Sequence, residues 1–198
     1  MSQKFVLATN NPGKLKEMAS ILGELGVEVV SPKELGLVME VEETGTTFAE
    51  NAMLKAKAVC EAAKLPAIAD DSGLCVDALN GAPGVYSARY GGEGLDDKGR
   101  YMLLLQNMRG MPTRAAHFAC AIACAFPNGD ELTAEGICPG AIAYAPMGEG
   151  GFGYDPVFSV LEFRKTFGQL TAEEKNQISH RGKALVSFKE KLETYLKK

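Results

Sequence analysis

The stretch KFVLATNNPGKLKEMASILGEL, Lys4 to Leu25, reads in one pass as strand, tight polar loop and helix. Lys4 to Ala8 is a short apolar run suited to a buried strand. From Gly13 to Leu25 the apolar residues Leu15, Met18, Ala19, Leu22 and Leu25 recur at helical spacing. Val27 to Val30 reads as a second strand, and an acidic stretch, MEVEETGTT, follows that is too charged to be core. Strand, helix and strand in this order open an α/β fold.

The elements beyond are marked by their punctuation. Thr47 and Glu50 form a capping box ahead of a helix whose apolar face is Ala49, Ala52, Met53, Ala56, Cys60 and Ala63, and Pro66 stops it. Ala67 to Ala69 is a short strand running into Asp70-Asp71-Ser72-Gly73, and Leu74 to Leu79 continues extended to an Asn80-Gly81 turn. Asp96 to Met108 reads as a helix. Ala115 to Phe126 and Leu132 to Tyr144 read as long strands joined as a hairpin through Pro127-Asn128-Gly129-Asp130. A glycine-rich loop, MGEGGFGYDP, precedes a strand from Val157 to Val160, and Gly182 to Leu196 closes the chain as an amphipathic helix. Early alternation followed by a hairpin predicts an α/β fold with a mixed sheet. No repeat, linker or low-complexity tract interrupts it, so residues 1–198 are expected to form one domain.

Bulk properties exclude several functions. A net charge of -4 leaves no basic field of the kind that gathers nucleic acid or anionic lipid, so a polyanionic partner must be small and locally held. The apolar run Phe5 to Ala8 is too short for a signal peptide or a spanning helix, and no later stretch approaches spanning length. Five cysteines form no CxxC pair, which points to reduced thiols in the cytoplasm. In the strand HFACAIACAF, Cys120 and Cys124 share one face while His117 takes the other, so the three do not converge on a metal.

Four constellations carry chemistry. Thr9-Asn10-Asn11-Pro12-Gly13-Lys14 lies where a strand gives way to a helix, and free N–H groups, Asn and Thr donors and a Lys charge there suit phosphate oxygens. It is not a Walker A loop, since Leu15 occupies the hydroxyl position; a plain helix cap with Pro12 in the first turn is the alternative. Asp70 and Asp71 would repel each other unless a cation or solvent relieved them, and Mg²⁺ with phosphate co-ligands is the natural cation, with Glu42-Glu43 able to add a ligand. A solvated turn and a solvated acidic loop are the bland readings. Phe152-Gly153-Tyr154-Asp155 sets two aromatics about a glycine, suited to a flat base, with Asp155 able to accept from base N–H groups; core aromatics beside a turn are the alternative. Lys175 and Ser179-His180-Arg181-Gly182 precede the last helix, and Arg181, with five donors and no acceptor, would welcome a 6-oxo base and reject a 6-amino one. Solvated charges near a helix start are the plainer account.

Taken together and in order, TNNPGK, EETGTTF.ENA, ADDSGL, GAPG.YSARY, GGFGYDP and EEKNQISHRG resemble the inosine triphosphate pyrophosphatase family from Phe5 to about Ala184. The resemblance implies a long curved mixed sheet flanked by helices, two lobes with a nucleotide cleft between them, and a homodimer. It also implies cleavage of ITP, dITP and XTP between the α and β phosphates. By matched position, Thr9 through Lys14 hold the triphosphate, Glu42 and Asp71 serve Mg²⁺, Asp71 activates the attacking water, and Ser72, Phe152 through Asp155, Lys175, His180 and Arg181 contact the nucleotide; Asp70 is the alternative base, or else orients the water or adds a metal ligand. The competing expectations are a pyrophosphatase for modified pyrimidines, which Arg181 opposes, and a nucleotide sensor, which three carboxylates near the phosphates oppose. Guanine shares the 6-oxo group, so its rejection must read the 2-position.

Overall fold

A computed structural model describes residues 3–9 and 12–197. Seven strands, β1 (Gln3–Leu7), β2 (Val27–Val30), β3 (Ala67–Val76), β4 (Ala115–Ala125), β5 (Glu131–Ile142), β6 (Phe158–Val160) and β7 (Lys165–Thr166), form one sheet in the order β2-β1-β3-β4-β5-β6-β7. β1 runs parallel to both β2 and β3, whereas β5, β6 and β7 pair antiparallel in sequence. The sheet is therefore mixed, as the element order predicts. Among the described residues, five α-helices accompany it: α1 (Pro12–Gly23), α2 (Phe48–Ala63), α3 (Asp97–Asn107), α4 (Ala172–Ile178) and α5 (His180–Leu196). None of the described helices is long and apolar enough to cross a membrane.

The chain divides into two compact units, each discontinuous in sequence. The first comprises residues 1–71, 120–136 and 183–198, and the second residues 72–119 and 137–182. In the first, strand alternation builds two cores. Phe5, Leu7, Ile68, Cys120, Ile122 and Cys124 face Met18 and Leu22 of α1 and Leu185, Phe188 and Leu192 of α5. Val6, Ala67, Ala69, Ala121 and Ala123 face Ala52, Ala56 and Val59 of α2. Each fully buried Phe or Leu contributes about 1.5–3 kcal/mol relative to exposure. The α2 face is lined by alanines, which lets that helix lie close to the strands.

In the second unit, Leu74, Val76, Leu104, Met108, Phe118, Val157, Phe158 and Phe167 share one core. Phe118 meets Phe158 edge-on at 4.6 Å and stacks on Phe167 at 5.7 Å.

Three features differ from the sequence reading. Asp70-Asp71-Ser72-Gly73 does not end a strand, because β3 continues unbroken through it to Val76. The last helix starts at His180, so His180 and Arg181 stand in its first turn rather than before it. Lys175 lies on a short helix of its own, α4, introduced by a Thr171–Glu174 capping box. All five cysteines are free thiols, and burial pushes the Cys124 thiol well above its ordinary range, which leaves it inert.

Candidate active site

The first unit's chemistry follows from the two-residue period of β3. Asp70 shares its face with Ile68 and meets α1, while Asp71 shares its face with Ala69 and meets α2. Each carboxylate finds a lysine there. Lys14 Nζ donates to Asp70 Oδ2 at 2.7 Å, with the Asp70 side chain only 3% exposed. Lys55 Nζ lies 3.7 Å from Asp71 Oδ1 and donates to Glu43 Oε1 at 2.7 Å. The repulsion expected between adjacent acids is thus relieved by opposite projection and by separate cations.

The acidic loop reaches this cluster through Glu43. Glu42 is exposed, while Glu43 is half-buried and held by Lys55. The loop is fastened to the head of α2: Thr46 N–H and Oγ1 and Thr47 N–H all donate to Glu50 Oε2, and Gly45 N–H donates to Asn51 Oδ1 at 2.8 Å. Those bonds hold the Glu50 carboxyl below its ordinary range, the Thr46 N–H contributing most.

Of the residues of TNNPGK, Lys14 stands in the first turn of α1, which begins at Pro12 and Gly13, and Thr9 follows β1 half-buried. Asn10 and Asn11 lie outside the described residues. A depression of about 280 Å³ in the same unit, lined by Lys57, Lys64, Phe126 and Glu131 among others, shares no residue with the carboxylate cluster. Lys57 and Glu131 pair across it at 2.7 Å, and its three acids, Glu61, Asp130 and Glu131, outnumber its lysines, Lys57 and Lys64, which disfavours an anion there.

The second unit gathers Phe152, Asp155, Lys175, His180 and Arg181. Asp155 is buried, and its Oδ2 accepts from Phe152 N–H at 2.9 Å and from Lys175 Nζ at 2.5 Å. Through that oxygen it braces the loop. Gly151 is required beside it: its φ is +76°, and a Cβ there would lie 1.9 Å from Asp155 Oδ2. Tyr154 is also buried and donates to Ser87 O at 2.7 Å, and burial raises its phenol above the ordinary range. Only Phe152 of the two aromatics is exposed, with Lys175 Nζ 4.7 Å and Arg181 Cζ 5.9 Å from its ring centroid. Gly153 N–H donates to Asp97 at 2.8 Å, and His180 stacks on Phe118 at 4.8 Å. Ser72 lies on β3, two residues beyond Asp70.

A model of the Ham1 family matches residues 5–191. The chain belongs to the Ham1 family. This Ham1 member is 56% identical over 184 residues to the dITP/XTP pyrophosphatase of Desulforamulus reducens, covering 92% of each chain. It is 49% identical over 190 residues to that of Bacillus subtilis, covering 95% of this chain and 96% of the other. The Staphylococcus aureus Ham1 protein structure superposes with a TM-score of 0.90 at 42% identity, covering 98% of both chains. The structure of a nucleoside-triphosphatase, or dITP/XTP pyrophosphatase, from Mycobacterium abscessus gives 0.81 at 45% identity, covering 93% and 97%.

Two residues of this Ham1 site escape a reading of the sequence. Lys55 resembles Lys57 and Lys64 as one more solvated helix charge, yet it borders the buried stripe Ala52, Ala56 and Val59, and that position is the available signal. Glu43 cannot be told from Glu42 until Lys55 selects it. Among the described residues, no three His, Cys, Asp or Glu side chains form a metal cage. The donors present suit a different kind of site. Glu43 and Asp71 already converge on one cation, the Lys55 ammonium, and Mg²⁺ takes one or two carboxylates plus substrate phosphates.

Proposed function

We propose that the chain hydrolyses non-standard purine nucleoside triphosphates, ITP, dITP and XTP, to the monophosphate and pyrophosphate. The observation that supports it most is the opposite projection of Asp70 and Asp71 from β3, each against its own lysine. Two carboxylates with two cations can hold a polyanion and still retain a base. A site that only bound phosphate would gain nothing from the acids.

In this reading Lys14 and the backbone at the head of α1 bear on the phosphates. A water attacks the α-phosphorus, its proton passes to the Asp71 carboxylate, the bond from the α-phosphorus to the bridging oxygen breaks, and pyrophosphate leaves. Lys55 holds Glu43 and Asp71 in mutual reach. Mg²⁺, when bound by Glu43 and Asp71 together with substrate oxygens, would neutralise charge on the phosphates. Of the two adjacent acids, Glu43 is taken as the second metal ligand because Lys55 holds it near Asp71, with Glu42 as the alternative.

Phe152 offers a ring face to the base, Lys175 and Asp155 fix that ring, and Arg181 supplies donors to a 6-oxo group. The same reading takes the enzyme to be a cytoplasmic homodimer, for which light scattering of the purified protein at twice 21.1 kDa is the check.

The test is pyrophosphate release from ITP, XTP, GTP, ATP and dTTP, each with Mg²⁺ and with EDTA. ITP and XTP outpacing the others, with EDTA abolishing release, is the expected result. A preferred pyrimidine removes the base assignment, and binding of ITP without cleavage removes the enzyme.

A further inference from the structure

The ENA segment of the acidic-loop motif, which fastens that loop to α2, has no part in the chemical steps above, yet it holds an unusual side chain. Asn51 is fully buried on α2, adjacent in the chain to the buried stripe that starts at Ala52. Its Oδ1 accepts from Gly45 N–H at 2.8 Å, while its Nδ2 is buried without a hydrogen-bond partner among the described residues. A buried amide donor left unsatisfied lowers stability, and an apolar residue of the same size would avoid that. Such costs are retained where function needs the group.

The spacing shows the need. Asn51 and Lys55 are four residues apart, hence on one face of α2. Lys55 holds the Glu43 side chain, and Asn51 holds the backbone two residues further on. The fit is close from both sides, because a Cβ on Gly45 would lie 2.6 Å from Asn51 Oδ1 and 2.7 Å from Glu50 Cβ.

We propose that Asn51 is a positioning residue for catalysis, locking the acidic loop at Gly45 so that Glu43 stays in reach of Lys55 and Asp71. This rests on the pyrophosphatase reading. In this role Asn51 acts through Glu43 and not on the substrate.

The test uses Asn51→Leu, which removes both the acceptor and the orphan donor, and Asn51→Asp, which keeps an oxygen on Gly45 N–H. Hydrogen exchange of the peptide spanning residues 42–50 is measured without nucleotide, beside kcat, KM for ITP and the Mg²⁺ concentration giving half-maximal rate. In Asn51→Leu, exchange in that peptide is expected to rise about ten-fold while other peptides keep the parent rate, and kcat to fall about ten-fold with KM within two-fold. The Mg²⁺ requirement rises with it. Asn51→Asp retains the loop protection.

Unchanged exchange in Asn51→Leu overturns the lock. So does fast exchange with parent kcat and Mg²⁺ dependence, since the loop's order then does not matter to the chemistry. An Asn51→Asp protein that exchanges as fast as Asn51→Leu overturns it as well. A parent protein that releases no pyrophosphate from any triphosphate instead sinks the functional reading, a failure visible before any variant is made.

Discussion

Asp70→Asn isolates what the Lys14–Asp70 contact does. The carboxylate is 3% exposed and sits 2.7 Å from Lys14 Nζ, whose side chain is 22% exposed. Breaking a buried pair by neutralising one partner costs about 3–5 kcal/mol, because the remaining charge stays desolvated. Lys14 keeps some water, which places this case near the lower end, about 3 kcal/mol. For a chain of this length each kcal/mol lowers Tm by roughly 2–4 °C, so the fall should be roughly 6–12 °C. Differential scanning calorimetry reads it directly. The companion Lys14→Met should do similar damage, but Lys14→Met with Asp70→Asn should lose only about 1 kcal/mol, since no orphan charge is left. Single variants that each shift Tm by less than about 2 °C, or a double variant whose loss is the sum of the two, would refute the buried-pair reasoning.

Asp71→Asn should leave ITP binding within about three-fold while turnover falls at least about a thousand-fold, measured by pyrophosphate release against isothermal titration, as expected for a lost general base. Glu43→Gln should raise the Mg²⁺ requirement about ten-fold and Glu42→Gln should not, a comparison that Mg²⁺ titration of the rate decides. Tyr154→Phe should cost about 1–3 kcal/mol in urea unfolding, since it strands the Ser87 carbonyl. Because the folded phenol lies above its ordinary value of 10, its contribution is complete below that pH and is lost as pH rises, and the variant should lose less stability above pH 10 than the parent. Glu174 behaves in the opposite sense: the Thr171 N–H holds its carboxyl below 4.5, so its support of α4 is present above that pH and fades as acid protonates it, and Glu174→Gln should flatten the acid limb of the melting curve.

The elements with strong periodicity or a local cap were legible in the sequence. The Thr47–Glu50 capping box stands as expected, with both of its hydrogen bonds. So do β2 at Val27–Val30 and, within two residues, the strands around the Phe126–Asp130 turn. What escaped was decided by partners distant in the chain. Asp, Ser and Gly are poor strand formers, so DDSG suggests a turn, but sheet neighbours carry β3 straight through it. α4 is mostly polar, with Ile178 its only large apolar residue, and leaves no stripe to detect; its Thr171–Glu174 cap was the signal available. At the site, the lysines and acids were visible as residue types, but not which acid each lysine takes. Nor does the sequence reveal that Lys175 donates to Asp155 or that Tyr154 donates to the Ser87 carbonyl.

The parity of β3 constrains how this sequence can change its length. Asp70 and Asp71 reach different helices only because they are odd and even members of one strand. A substitution alters one of them at a time. A single-residue insertion or deletion between Ala67 and Asp70 would exchange their surroundings together, turning the acid meant for Lys14 towards α2 and its neighbour towards α1. Variant libraries of this segment should therefore tolerate many point changes beside the acids while rejecting one-residue indels, with two-residue indels, which restore the phase, recovering more readily.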